Sequence, residues 1–165
     1  MIREERLRGR EARDNVRTYF DHKKLDVYQL ELQFITWVTP LIAKVKQRPS
    51  EARIAEVLDQ LDRASLSALL NTAEGNGRRQ RRTRAKFFDD ARGSASECAA
   101  CLDALVAKNV CAAEEIDEGK QLLLRIASIL TKLVDRFDSF ASLSIIREEA
   151  DAQGFEEEDE DKNEE

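Results

Sequence analysis

From Leu25 onward the apolar residues recur in steps of three and four: Val27, Phe34, Ile35, Val38, Leu41, Ile42 and Val45. That is the period of one helical face, and it predicts a first amphipathic helix starting at Leu25. Pro40 falls inside it, where its ring removes one backbone donor and should bend the axis. The segment Arg48-Pro49-Ser50-Glu51 ends this helix and opens a second, with Ser50 as N-cap and Glu51 in the first turn. The second helix runs from about Glu51 to Ala73 and turns Ile54, Val57, Leu58, Leu61, Ala64 and Ala68 inward. Gly75 and Gly77 stop it, either one able to take the left-handed conformation of a helix C-terminus. A third helix begins between Arg82 and Ala85 and reaches about Lys108, with Phe87, Ala91, Ala95, Cys98, Leu102 and Leu105 on its inner face. The fourth starts near Ala112 and carries Ile116, Leu123, Ile126, Leu130, Leu133 and Phe137, widened by Leu122, Ile129 and Val134. It extends through Phe140 and Leu143 as far as Arg147. Four long amphipathic helices with short connections predict an all-α protein, an antiparallel up-down four-helix bundle over residues 25–148. Residues 1–24 form a charged extension with a thin apolar stripe, and residues 149–165 a disordered acidic tail.

Composition agrees with one core. The chain has 165 residues, 42% of them hydrophobic, and only two prolines and six glycines. No apolar run approaches the roughly 18–20 residues that span a bilayer, which excludes a membrane partner. The N-terminus is charged throughout, unlike a signal peptide. Three cysteines, an odd number, set up no disulfide framework and suit a reducing compartment, so a cytoplasmic location is expected.

Charge changes the picture more. The formal net charge is -6, but residues 151–165 hold nine acids and one lysine, so the preceding 150 residues carry a net of +2. The protein reads as a near-neutral body with an acidic tail. Within the body, six of the nine residues from Arg78 to Lys86 are basic: Arg78, Arg79, Arg81, Arg82, Arg84 and Lys86. Guanidinium forks and an ammonium at a helix N-terminus suit phosphate oxygens. Bases there oppose the helix dipole, which a purely local role does not explain. No aromatic residue interleaves the cluster, so the contact expected is to nucleic-acid backbone without sequence readout. The competing reading is a solvated turn whose arginines pair with Asp89, Asp90 or the tail. The tail in turn is an inert solubiliser, a dock for a basic protein, or a polyanion mimic that folds back on the arginines.

Arg63, Ser67, Asn71 and Glu74 step along the second helix as one polar stripe, with Glu97 of the third as partner for Arg63. On a buried side such a stripe must be internally hydrogen-bonded, and it is read as a structural network. It offers no catalytic set: one or two carboxylates come without a nucleophile. Cys98, Cys101 and Cys111 fall short of a zinc site, since His22 is the only histidine, and they read as small buried hydrophobes. His22 sits in a polar connector with no identifiable partner, and Trp37 belongs to the core or a subunit contact. No metal, cofactor or catalytic residue is expected. Small residues on helix three (Ala91, Gly93, Ser94, Ala95, Ala99, Ala100) admit a close neighbour, and surplus apolar residues on helix four point to an oligomer.

Several of these residues also carry a resemblance. Arg63-Ala64, Ser67, Asn71, Ala73-Glu74-Gly75, Gly77-Arg78, Phe87-Phe88, Ala91, Gly93-Ser94 and Glu97 resemble the central motif of the four-helix-bundle proteins encoded in intervening sequences of bacterial 23S rRNA genes. Leu25-Asp26-Val27-Tyr28 resembles the start of that family's first helix, and residues 114–134 its last. The resemblance spans residues 25–137 and leaves out both extensions and the heavy basic loading. It implies a ring-like homopentamer, no enzymatic activity and a nucleic-acid partner, RNA above all. A related bundle is the accessory protein of diversity-generating retroelements, which binds RNA and a reverse transcriptase. The expectation is therefore a non-enzymatic, oligomeric protein that contacts the phosphates of RNA or an RNA–DNA intermediate. The alternative is a structural adaptor whose bundle scaffolds a protein partner.

Overall fold

The computed structural model describes residues 20–49 and 53–160, with side chains as far as Asp138. A 3₁₀ turn at Asp21–Lys24 precedes four helices: α1 Asp26–Lys46, α2 Ala55–Gly77, α3 Arg81–Ala107 and α4 Ala113–Glu160. Among the described residues there is no strand. Each helix packs on its sequence neighbours, α1 also closes against α4, and α2–α3 and α3–α4 are the most extensive pairs. Short connections force neighbours to run antiparallel, so the result is the expected up-down bundle.

The core collects Val27, Phe34, Val38 and Val45 of α1 with Leu58, Leu61 and Ala64 of α2. Phe88, Ala91, Ala95, Cys98, Leu102 and Leu105 of α3 meet them, as do Ile116, Leu123, Ile126 and Leu130 of α4. Each buried Leu or Phe contributes about 1.5–3 kcal/mol, which is why the apolar face rather than helix propensity holds the bundle. Ala91 and Ala95 have no bulk to keep α3 away from its neighbours. Pro40 lies inside α1 on the exposed face. There the carbonyl that loses its donor is open to solvent.

The observed boundaries correct three expectations. First, α2 starts at Ala55 behind Ile54, which makes no side-chain cap bond, and the expected cap residues Ser50 and Glu51 lie outside the described residues. Second, α2 runs through Gly75 and Gly77, neither of which has positive φ, and ends on an extended Arg78. Gly75 instead permits close approach: a Cβ there would sit 3.1 Å from Phe87 and Phe88. The positive φ falls on Asn109 (55°) in the α3–α4 loop, a residue type that tolerates it. Third, α3 begins at Arg81, and Phe88, 1% exposed, takes the core position assigned to Phe87. Helix α4 is described as far as Glu160, and the side chains beyond Asp138, those of the expected acidic tail among them, lie outside the described residues. Residues 1–19, most of the N-terminal extension, lie outside the described residues.

The α3–α4 loop is held by Arg48, which donates to Val110 O, to Cys111 Sγ at 3.7 Å and to both carboxylate oxygens of Glu115. Glu115 also accepts Ala112 N–H at 3.0 Å, capping α4, and an ammonium bond from Lys44 at 2.8 Å. These donors, Arg48 first, hold its carboxyl well below the usual carboxylate range.

Candidate nucleic-acid interface

The end of α2, the turn at residues 78–80 and the start of α3 bring the six basic residues to one end of the bundle. They are not equivalent there. Arg84 turns inward. Its Nη2 donates to Asn76 O at 2.8 Å, at the open end of α2, and its Nε to Gly75 O at 3.1 Å, which also accepts Arg78 N–H at 3.2 Å. Its guanidinium also stacks 4.9 Å over Phe137 of α4, which packs in turn on Phe88 at 5.8 Å. This arginine replaces the glycine cap expected of Gly75 and Gly77, and is a structural residue.

Arg78 pairs with Glu74 one turn earlier and lies 5.0 Å from the Phe87 ring. Lys86 pairs with Asp90 at 2.9 Å and lies 5.7 Å from the same ring. These pairs are half-exposed or more and cost a polyanion little to displace. Arg79 and Arg82 are exposed and have no partner among the described residues. Arg81, also exposed, opens α3. Arg78, Arg79, Gln80 and Thr83 line a recess of about 200 Å³. Beside it an open groove of about 580 Å³ runs between Arg82, Thr83 and Lys86 on α3 and Val134 and Asp138 on α4. No acid stands in the first turn of α3 and no side chain caps it, so the helix dipole adds to the arginines.

The polar stripe on α2 divides. Arg63 reaches Glu97 only through Gln60, with bonds of 2.6 and 2.9 Å. Ser67 meets Ser94 at 3.0 Å and accepts Asn71 Nδ2 at 3.3 Å. Glu74 serves Arg78. The set lines the α2–α3 seam with Arg63, Glu74 and Glu97 exposed, not a buried network as expected. The buried polar pair lies elsewhere and was missed: Glu31, 2% exposed, accepts Thr72 Oγ1 at 2.7 Å, and its Oε2 has no partner among the described residues. Burial pushes its carboxyl up to about 8, against the lowering effect of Thr72. The signal was present, because residue 31 falls between Val27 and Phe34 on the apolar face of α1.

Cys98 belongs to the core, and burial pushes its thiol up to about 12. Cys101 is half-buried and Cys111 sits under Arg48. Among the described residues no group of His, Cys, Asp or Glu is placed to hold a metal. His22 has aromatic partners that the sequence did not reveal, Phe20 at 5.5 Å and Tyr28 at 4.7 Å. Trp37 packs on Phe34 and covers Gly119. No described helix is long and apolar enough to cross a membrane.

No curated protein matches the chain. The family model described as 23S rRNA-intervening sequence protein matches residues 23–132, two thirds of the chain. The match takes in α1, α2, the basic turn, α3 and most of the part of α4 that packs in the bundle, and stops short of both charged ends. The chain therefore belongs to the 23S rRNA-intervening sequence protein family.

Proposed function

We propose that this protein is a non-enzymatic nucleic-acid-binding bundle that contacts the phosphate backbone of RNA, or of an RNA–DNA intermediate, with its basic end. It works in the cytoplasm as a ring-shaped homo-oligomer, a pentamer by family resemblance, and as an accessory to a reverse transcriptase. The observation that carries the reading is the exposure of Arg79 and Arg82 beside an open groove, without partners among the described residues. Arg78, Arg81 and Lys86 add to the same surface, while Arg84 is committed to the fold. Single-stranded RNA binding across a salt series tests it, using the full chain and the Arg79→Gln/Arg82→Gln variant. Removing one phosphate-binding charge should flatten the salt slope by about 0.7, and removing both by about 1.4. The double variant should therefore bind more weakly and with less dependence on salt. An unchanged affinity and slope refute the proposal.

One observation favours the adaptor reading. Leu66, Leu70 and Leu124 are exposed by 51%, 57% and 69%, more apolar surface than a solvated bundle needs. A partner protein retained after nuclease treatment in high salt, and released on Leu66→Ser/Leu70→Ser, would support it.

A further inference from the structure

The basic cluster has no aromatic residue between its charges, but the fold brings aromatic rings to the same end from elsewhere in the chain. Neighbouring helices run antiparallel, so α1 begins at the end of the bundle where α2 stops and α3 starts. The 3₁₀ turn Asp21–Lys24 sits there, packed against both α1 and α2. The Glu31–Thr72 hydrogen bond sets the register of these two helices. Tyr28 lies three residues before Glu31 and Gly75 three after Thr72, so both stand about 4.5 Å nearer the basic end. Arg78 follows three residues beyond Gly75.

Three rings gather at this level. His22 lies against Phe20 at 5.5 Å, nearly parallel at 19°, and against Tyr28 at 4.7 Å, tilted by 55°. His22 and Tyr28 are half-buried, whereas Phe20 at the free end of the series is 61% exposed. The backbone beneath the rings is tied down. Phe20 O accepts Lys23 N–H at 3.2 Å, His22 O accepts Leu25 N–H at 3.0 Å, and Gln29 Nε2 donates to Lys23 O at 2.8 Å. A ring held in this way loses little freedom when a second flat ring covers it. Lys23 and Lys24 on the same turn are exposed, Lys24 in a surface pair with Asp21 at 2.9 Å.

Such a surface suits an unpaired nucleobase. In a duplex each base face is covered by the next base pair, whereas a single strand can splay a base out onto a protein ring. The charge around the stack favours nucleic acid over an apolar protein partner, because Lys23, Arg78 and Arg79 offer contacts to the phosphates that accompany each base. We propose that Phe20, held in place by His22 and Tyr28, stacks on an unpaired base of a single-stranded RNA whose phosphates lie on the basic turn. The proposal rests on the function proposed above and adds to it a preference for single strands over duplex. Stacking accepts any base, since every base has a π-face. Phe20 is the binding residue, and His22 and Tyr28 position it.

Fluorescence anisotropy with labelled poly-U and with a blunt RNA duplex of equal length tests this, comparing the full chain with Phe20→Leu, Phe20→Trp and Arg79→Gln/Arg82→Gln. Phe20→Leu removes a ring and no charge. It should weaken poly-U binding about tenfold, with the salt slope and the duplex affinity unchanged. Phe20→Trp should bind poly-U at least as tightly as the unmodified chain. The arginine variant should bind both RNAs more weakly and with flatter salt slopes. Undiminished poly-U binding by Phe20→Leu overturns the stacking, and a loss in the arginine variant alone then leaves the phosphate contacts standing. Equal losses on poly-U and duplex, or no rescue by Phe20→Trp, also overturn it, because they mark Phe20 as a support of the fold. If no form binds either RNA, this proposal and the nucleic-acid function fall together.

Discussion

Glu31 makes the protein's stability depend on pH in a direction unusual for a carboxylate. Its side chain is 2% exposed, one oxygen accepts the Thr72 hydroxyl and the other has no partner among the described residues. The folded state holds its proton up to about pH 8, while an exposed glutamate releases it near 4.5. A folded value raised above the unfolded one means stability is fully present below 4.5. It declines as pH rises towards 8 and levels off beyond. At about 1.4 kcal/mol per unit, the difference between the two plateaus is on the order of 5 kcal/mol, much of a typical stability. Glu31→Gln keeps an acceptor for Thr72 and carries no charge. It should match the unmodified chain near pH 4.5 and exceed it by about 3 kcal/mol near pH 7. Urea unfolding followed by circular dichroism at a series of pH values gives both curves. Glu115 does not interfere. Its depressed folded value contributes stability above the unfolded value that disappears as pH falls, outside the Glu31 window. Parallel curves for the two proteins, or a rise in stability of the unmodified chain from about pH 5 to 8, refute the reasoning.

Two glycines in helix interiors should respond oppositely to alanine. A Cβ on Gly119 would lie 2.1 Å from the Trp37 ring, so Gly119→Ala should cost about 1–3 kcal/mol and be partly rescued by Trp37→Leu. Gly93 meets nothing within 4 Å, so Gly93→Ala should gain about 0.5–1 kcal/mol in the same urea titration. Arg84→Gln should lower stability by about 1–2 kcal/mol by breaking its bonds to Gly75 and Asn76, whereas Arg79→Gln/Arg82→Gln should stay within about 0.5 kcal/mol. Thiol labelling of the native protein should modify Cys101 well before Cys98, whose reaction should await unfolding; equal rates would show the α3 core to be open.

The helices and their inward faces were legible because burial of one face imposes a spacing of three and four on the apolar residues. Antiparallel order followed from loop length. The Arg78–Glu74 pair is local too, one helical turn apart, but the sequence pattern assigns Glu74 to the stripe on α2 and Asp89 and Asp90 to the arginines. Phase was harder: Phe87 and Phe88 differ by one residue, a turn of about 100°, and only packing against Phe137 decided which faced the core. The glycines after residue 74 promised a left-handed cap, but Arg84 reached back across nine residues to do that work, leaving Gly75 for close contact with Phe88.

Sequence alone sets the bundle, the place of the basic cluster at a helix junction and the opposite charge of the two segments. All three are properties of neighbours along the chain. Tertiary packing settles which charges are available. Arg84 is withdrawn beneath Phe137, Glu31 is shut in against Thr72, and Arg79 and Arg82 stay in solvent. Those fates depend on which helix lies opposite, at separations of 53 residues in the first case and 41 in the second. Local period sets which way a side chain points, but the free energy of a charge is set by what packs around it.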